Sequence, residues 1–189
     1  MIAADTKATG MENTVIRPFE HTDLPGAVAA LTEVHATDGY PVEGAARPEE
    51  WLRSDDVLAS WVAAASREII GHVAVMRPNG EAAVALWAER SGAEECHIGV
   101  LARLFVVRRA RKRALGERLV RTAMAYGLRH NRRLVLDVMV KDTAAIRLYD
   151  RLGWLRTGLA EHPYGAGQHI EAVCYVAPAP YPEMPSATQ

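Results

Sequence analysis

Cysteine is scarce: Cys96 and Cys174 are the only two, far apart and without CxxC spacing. A chain of 189 residues can bury a full core without covalent staples, so this usage excludes a disulfide scaffold and fits a reducing, cytoplasmic setting. Long apolar runs are missing too. No stretch approaches the roughly 18 apolar residues of a membrane helix, and MIAADTKATGMENT at the start has no basic opening followed by an apolar run. Neither a membrane span nor a secretory signal is expected. Net charge is nearly absent, since 22 Lys and Arg stand against 23 Asp and Glu and leave -1. The chain as a whole has no pull toward nucleic acid or an anionic membrane, so any basic patch must be local. The seven histidines fall without HxxxH-type ligand spacing, and Cys96-His97 lacks sequence partners, so no metal is expected. Internal repeats at periods of about 20 to 50 residues are also lacking, which argues against a solenoid or propeller.

What is present is an ordinary globular composition, 49% hydrophobic and 24% charged, and at this length it predicts one domain. Residues 1–13 read as a flexible N-terminal segment and 14–176 as the domain. Residues 177–189 carry four prolines that cannot continue a strand or helix, and read as a tail.

Alternation in TVIRPF predicts a strand over 14–19, and Leu24, Ala27, Val28, Leu31 and Val34 predict a helix over 21–38. Pro48 opens a short helical piece within 47–53. Segments 57–65 and 68–76 form an expected hairpin that turns near Ser66 and Arg67. Pro78, Asn79 and Gly80 then break the chain, and the segment up to Glu95 is expected to be a loop or insertion carrying Trp87. A strand over 98–107, a helix over 113–130 and a strand over 134–140 make a βαβ unit. Both strands are nearly continuous apolar runs, which predicts parallel neighbours covered on both faces. A helix over 143–152 ends at Gly153, and strands over 154–161 and 169–176 follow. The class is α/β with a mixed sheet.

The chemistry concentrates in VRRARKRALG, residues 107–116. Six basic residues fall between Arg103 and Arg113, and the small Ala114 and Gly116 stand where the chain turns into the helix. Unpaired N–H groups of a first helical turn, with the positive end of the dipole, bind anions, and Arg111, Lys112 and Arg113 add charge. A solvated basic face is the plain alternative. Cations at a helix N-terminus are slightly unfavourable without an anion, so a bound anion is the better account, and a pyrophosphate would fit.

Arg111-Lys112-Arg113-Ala114-Leu115-Gly116, after the strand LFV, resembles the Q/R-x-x-G-x-G/A signature of the GCN5-related N-acetyltransferase (GNAT) superfamily. Independently, Asp142-Thr143-Ala144-Ala145-Ile146-Arg147-Leu148-Tyr149 with Leu152-Gly153-Trp154 is similar to that family's N-x-x-A-x-x-L-Y-x-x-x-G-F. Ala114 stands where glycine is commonest, which is tolerable if its φ stays negative. Asp142 replaces the usual asparagine, which removes an amide donor and adds a negative charge.

The resemblance implies a mixed, mostly antiparallel sheet with a central splayed parallel pair, flanked by helices, and acetyl-CoA as co-substrate. The backbone of Leu104, Phe105 and Val106 would pair with the pantetheine arm. N–H groups from Arg111 through Leu115 and Gly116 to Glu117 would hold the pyrophosphate, Asp142 would bear on the pantetheine contacts, and Ala145 with Tyr149 would flank the thioester end. Tyr149 is the expected proton donor to the departing thiolate. The base stays unassigned: Val100 occupies the strand position where the family often has a carboxylate, and Glu94, Glu95 and His97 lie just upstream. Acceptor contacts would come from Tyr40 and Trp87, with Trp51, His162, Tyr164 and His169 as further candidates. The expected reaction is acetyl transfer to a primary amine of a small molecule. A non-catalytic acyl-CoA sensor, acetylation of a protein amine, and nucleic-acid binding through residues 108–113 are the competing readings, and a homodimer is left open.

Overall fold

The structure, a computed structural model, describes residues 14–42, 44–164 and 168–179. The expected N-terminal segment and most of the expected tail lie outside the described residues, as does the side chain of Tyr164. Strand β1 (Val15–Pro18) leads through a single helical turn into α1 (Leu24–Asp38) and the short α2 (Pro48–Leu52). Strands β2 (Val57–Ala65) and β3 (Glu68–Met76) follow, then α3 (Ala82–Ser91), β4 (Ile98–Val106), α4 (Leu115–Arg129), β5 (Arg133–Met139), α5 (Thr143–Arg151), β6 (Leu155–Tyr164) and β7 (Gln168–Val176). The β2–β3 hairpin turns at Ser66 and Arg67, both with positive φ (48° and 73°), as a two-residue turn matching strand twist requires.

The strands form one sheet in the order β1-β2-β3-β4-β5-β7-β6. Every pairing is antiparallel except β4 with β5, which the βαβ reading had placed. Both faces of that pair are covered. On one side Leu31, Ile70, Val73, Leu119, Leu134 and Leu136 join α1 and α4 to the sheet. On the other, Ala83 and Val84 of α3 pack with Ile98, Val100, Val135, Cys174 and Val176.

Helix α3 corrects the expectation of a loop. Its inner contacts are small, Ala83 and Val84, so it shows no broad apolar stripe. Its start is held from a distance: the Ala83 N–H donates to Oδ1 of Asp137 on β5 at 3.0 Å. Ala177, the first residue of the expected tail, is buried, and its N–H donates to the Leu134 carbonyl at 2.8 Å.

Candidate active site

Strands β4 and β5 pair at three positions only, Ile98 with Arg133, Gly99 with Leu134 and Val100 with Val135. Beyond Val100 they part, while β4 stays paired with β3 up to Val106 and β5 with β7 up to Met139. One edge of β4 is therefore left without a ladder in mid-sheet. A cavity of about 510 Å³ fills the gap, walled by residues 101–106 of β4, Asp137 to Met139 of β5, Val34 and Asp38 of α1, Tyr40, and Asp142 to Ala145, Leu148 and Tyr149.

The cavity runs toward the start of α4, where Gly116 forms part of its wall. The first ladder bond of this helix is from the Arg118 N–H to the Ala114 carbonyl, so the N–H groups of Leu115, Gly116 and Glu117 lie outside it. A methyl group on Gly116 would meet only Leu148, at 3.4 Å. The protein's own packing thus does not demand glycine there, and the bare backbone leaves the first turn open to a ligand. Ala114 does not keep a negative φ: it sits at +55°, with Lys112 at +63°. Left-handed backbone at a non-glycine residue costs about 1 kcal/mol each, so this turn is folded at the expense of strain.

The basic residues divide. Lys112 and Arg113 are exposed on the turn. Arg111 is committed elsewhere, since its guanidinium forms an ion pair with Asp38 and its Nε donates to the Val106 carbonyl at 3.0 Å. It ties the end of α1 to the end of β4 and holds the Asp38 carboxyl below its ordinary range. Leu115 sends its side chain into the core, and Glu117 pairs with Arg121 at 3.0 Å. Only the backbone of these two is available to an anion.

Tyr149 is buried at 4% exposure, its ring beside Trp154 and Tyr175. Burial, and next the neighbouring Tyr40, Asp142 and Tyr175, push its phenol above the ordinary range. Asp142 ends the loop before α5 and is also shifted upward, by burial first.

A second cavity, of about 480 Å³, adjoins the first and shares Tyr40, Leu101, Ala102, Arg103, Asp137 and Met139 with it. Its remaining wall includes Pro41, Trp51, Met76, Glu81, Glu161 and His162. Tyr40 meets Trp51 edge to face, with ring centroids 5.9 Å apart, and the Tyr40-Pro41 bond is cis. Tyr40 lines both cavities, whereas Trp87 lines neither. It packs between α3 and the sheet with the Arg133 guanidinium 5.5 Å from its ring.

Glu94, Glu95 and His97 are exposed at the start of β4, before the three paired positions, and line neither cavity. Cys96 and His97 do have a neighbour that spacing did not suggest: Glu94 brings its donor atoms to within 4.8 Å of theirs. The carboxylate that sequence reasoning missed is Asp137, at the junction of the two cavities. Its signal was a lone acid inside the apolar strand Leu134-Val135-Leu136-Asp137-Val138-Met139. Beside it, Cys174 is buried, and burial with the Asp137 charge pushes the thiol up to about 12.

The acetyltransferase (GNAT) family model matches residues 27–154. No curated protein matches the chain at the level of sequence. Among solved structures, NAA60 of Arabidopsis thaliana, in complex with acetyl-CoA, is 24% identical with a TM-score of 0.66, over 87% of this chain and 97% of that one. An acetyltransferase of the GNAT family from Streptococcus pneumoniae is 24% identical with a TM-score of 0.63, over 87% and 98%. The ribosomal-protein-S18-alanine N-acetyltransferase of Escherichia coli is 16% identical with a TM-score of 0.65, over 94% and 99%. These likenesses show a shared fold, and the family match spans β4 and β5, the central strands of both cavities. The chain belongs to the acetyltransferase (GNAT) family and is an acyltransferase.

Proposed function

We propose that the chain transfers an acetyl group from acetyl-CoA to the amine of a small molecule. The carrying observation is that two cavities meet at Asp137 and Arg103, with Tyr149 in the wall of the first. The first cavity fits the coenzyme: the unladdered edge of Leu104, Phe105 and Val106 offers amide partners to an extended pantetheine arm. The open N–H groups at the start of α4, with Lys112 and Arg113, suit its pyrophosphate. Asp142 and Ala145 flank the inner end. The second cavity has the volume of a small-molecule site.

Acetyl-CoA supplies an acyl thioester, and the chain's own groups must then move two protons. Asp137 takes one from the acceptor ammonium, directly or through a water, so that the nitrogen lone pair is free to attack. Tyr149 gives a proton to the departing sulfur and is restored by the second proton that the attacking nitrogen sheds as the amide forms. Its raised affinity for the proton keeps the phenol intact at every working pH, and partial transfer in the transition state is sufficient. A peptide N-terminus is the competing acceptor, since the Escherichia coli relative is named for an alanine of a ribosomal protein.

The test is release of free CoA across a panel of amines. Tyr149→Phe and Asp137→Asn should each lower kcat/KM by about 100-fold or more. Unchanged turnover in Tyr149→Phe removes its role. Stabilisation by acetyl-CoA with no turnover on any amine or peptide would favour the sensor instead.

A further inference from the structure

Arg103 stands at the junction of the two cavities, and its surroundings are built rather than incidental. Ala102 pairs with Ala74 and Phe105 with His72, so Arg103 and Leu104 together oppose the single Val73. This is a β-bulge, which re-aims a side chain at a chosen point of a strand. Arg103 adopts φ +58° there, a conformation that costs a non-glycine residue about 1 kcal/mol. Glycine would relieve the strain, so the side chain must have work to do. Its carbonyl is pinned by the Nδ1–H of the fully buried His72 at 3.0 Å. Its guanidinium lies 5.1 Å over the Trp51 ring and donates from Nη2 to Ser54 Oγ at 2.8 Å.

The cation is fixed, and although the Asp56 charge acts on it through space, no carboxylate among the described residues pairs with it. Arg17, Arg109, Arg111, Arg121 and Arg156 each hold a carboxylate. Arg103 forms no ion pair among the described residues, and its buried Nη1 has no hydrogen-bond partner. A guanidinium carries five donors arranged for a planar anion. Trp51 and Ser54 hold it where the two cavities meet, with donor capacity left for an anion. Asp137 is half-buried at the same junction and can receive the acceptor's ammonium.

We propose that Arg103 binds a carboxylate on the acceptor, so that the second cavity takes a zwitterion whose amine and acid share one small skeleton. This rests on the acyl-transfer reading above. An amino acid or a close analogue meets the description, with its amine at Asp137 and its acid at Arg103.

The experiment compares pairs of amines that differ only by the carboxylate, read as kcat/KM for CoA release. The wild-type protein should prefer the carboxylate partner, and Arg103→Gln should shrink that preference by about 10- to 100-fold. Arg103→Lys, which keeps charge but loses the fork, should fall between. A parallel readout needs no turnover: with CoA present, N-acetylated amines with and without the carboxylate are compared for thermal stabilisation of wild type and both variants. Carboxylate-dependent stabilisation that vanishes in Arg103→Gln supports the subsite even if no amine turns over, in which case it is the transferase reading that fails. A wild type without preference for the carboxylate in either readout, or an Arg103→Gln protein that keeps the full preference, overturns the proposal.

Discussion

His72 shows how much a single side chain can hold. It lies fully buried, stacked on Phe105 at 5.4 Å between centroids, with Phe19 edge-on at 6.0 Å. Burial is the main cause that pushes its pKa from the ordinary 6.5 down to about 4, with the bond to the Arg103 carbonyl opposing and the Arg103 charge assisting. The unfolded chain therefore takes up a proton near pH 6.5 that the fold refuses until about pH 4. Stability contributed by neutral His72 is complete above pH 6.5 and is lost progressively as pH falls through that window, by about 3 kcal/mol in all. Chemical denaturation of wild type and His72→Leu at pH 7 and pH 5 checks this: the variant should be less stable at both but lose less between them. An equal loss in the two proteins would place the acid sensitivity elsewhere. Nothing in the neighbouring sequence, Ile70-Gly71-His72-Val73, marks this histidine as different from an exposed one. Its role depends on a bulge thirty residues away, and bulges leave no periodic trace.

Among the elements, the start of α4 carries two opposing requirements. Gly116 in the first turn weakens the helix by about 0.5 to 1 kcal/mol relative to alanine, and there is room for the methyl group. Gly116→Ala should therefore raise the melting temperature of the free protein while weakening acetyl-CoA binding measured by calorimetry. Undiminished acetyl-CoA binding by the variant would mean that this turn does not meet the coenzyme. The turn itself was legible from Arg111 to Gly116, because small residues after a cluster of cations mark the point where strand gives way to an amphipathic helix. Helix α3 was not, since Ala82-Ala83-Val84-Ala85 offers no stripe and its anchor is the Asp137 carboxylate, 54 residues away in sequence. The same distance effect hid the Arg111 to Asp38 tie. Arg111 reads as one more phosphate cation until the end of α1 is seen beside it.

For the whole molecule, strand neighbours were readable at the tight β2–β3 hairpin and at the βαβ unit, where the parallel pair stands. Long-range partners decided the rest. Asp137, Arg103 and Tyr40 come from three elements far apart in sequence and meet only because β4 and β5 separate after Val100. The same separation has a consequence for amide hydrogen exchange. Backbone N–H groups of β4 that face β3 are locked in a ladder, and those over 98–100 that face β5 are locked as well. The alternate amides beyond Val100 on the β5 side have no such lock, so β4 should exchange deuterium in a two-residue alternation along its second half, deep inside the sheet. Acetyl-CoA should slow only the fast members of that alternation. On the proposed reading, the coenzyme completes the protection that the missing inner ladder leaves open in β4.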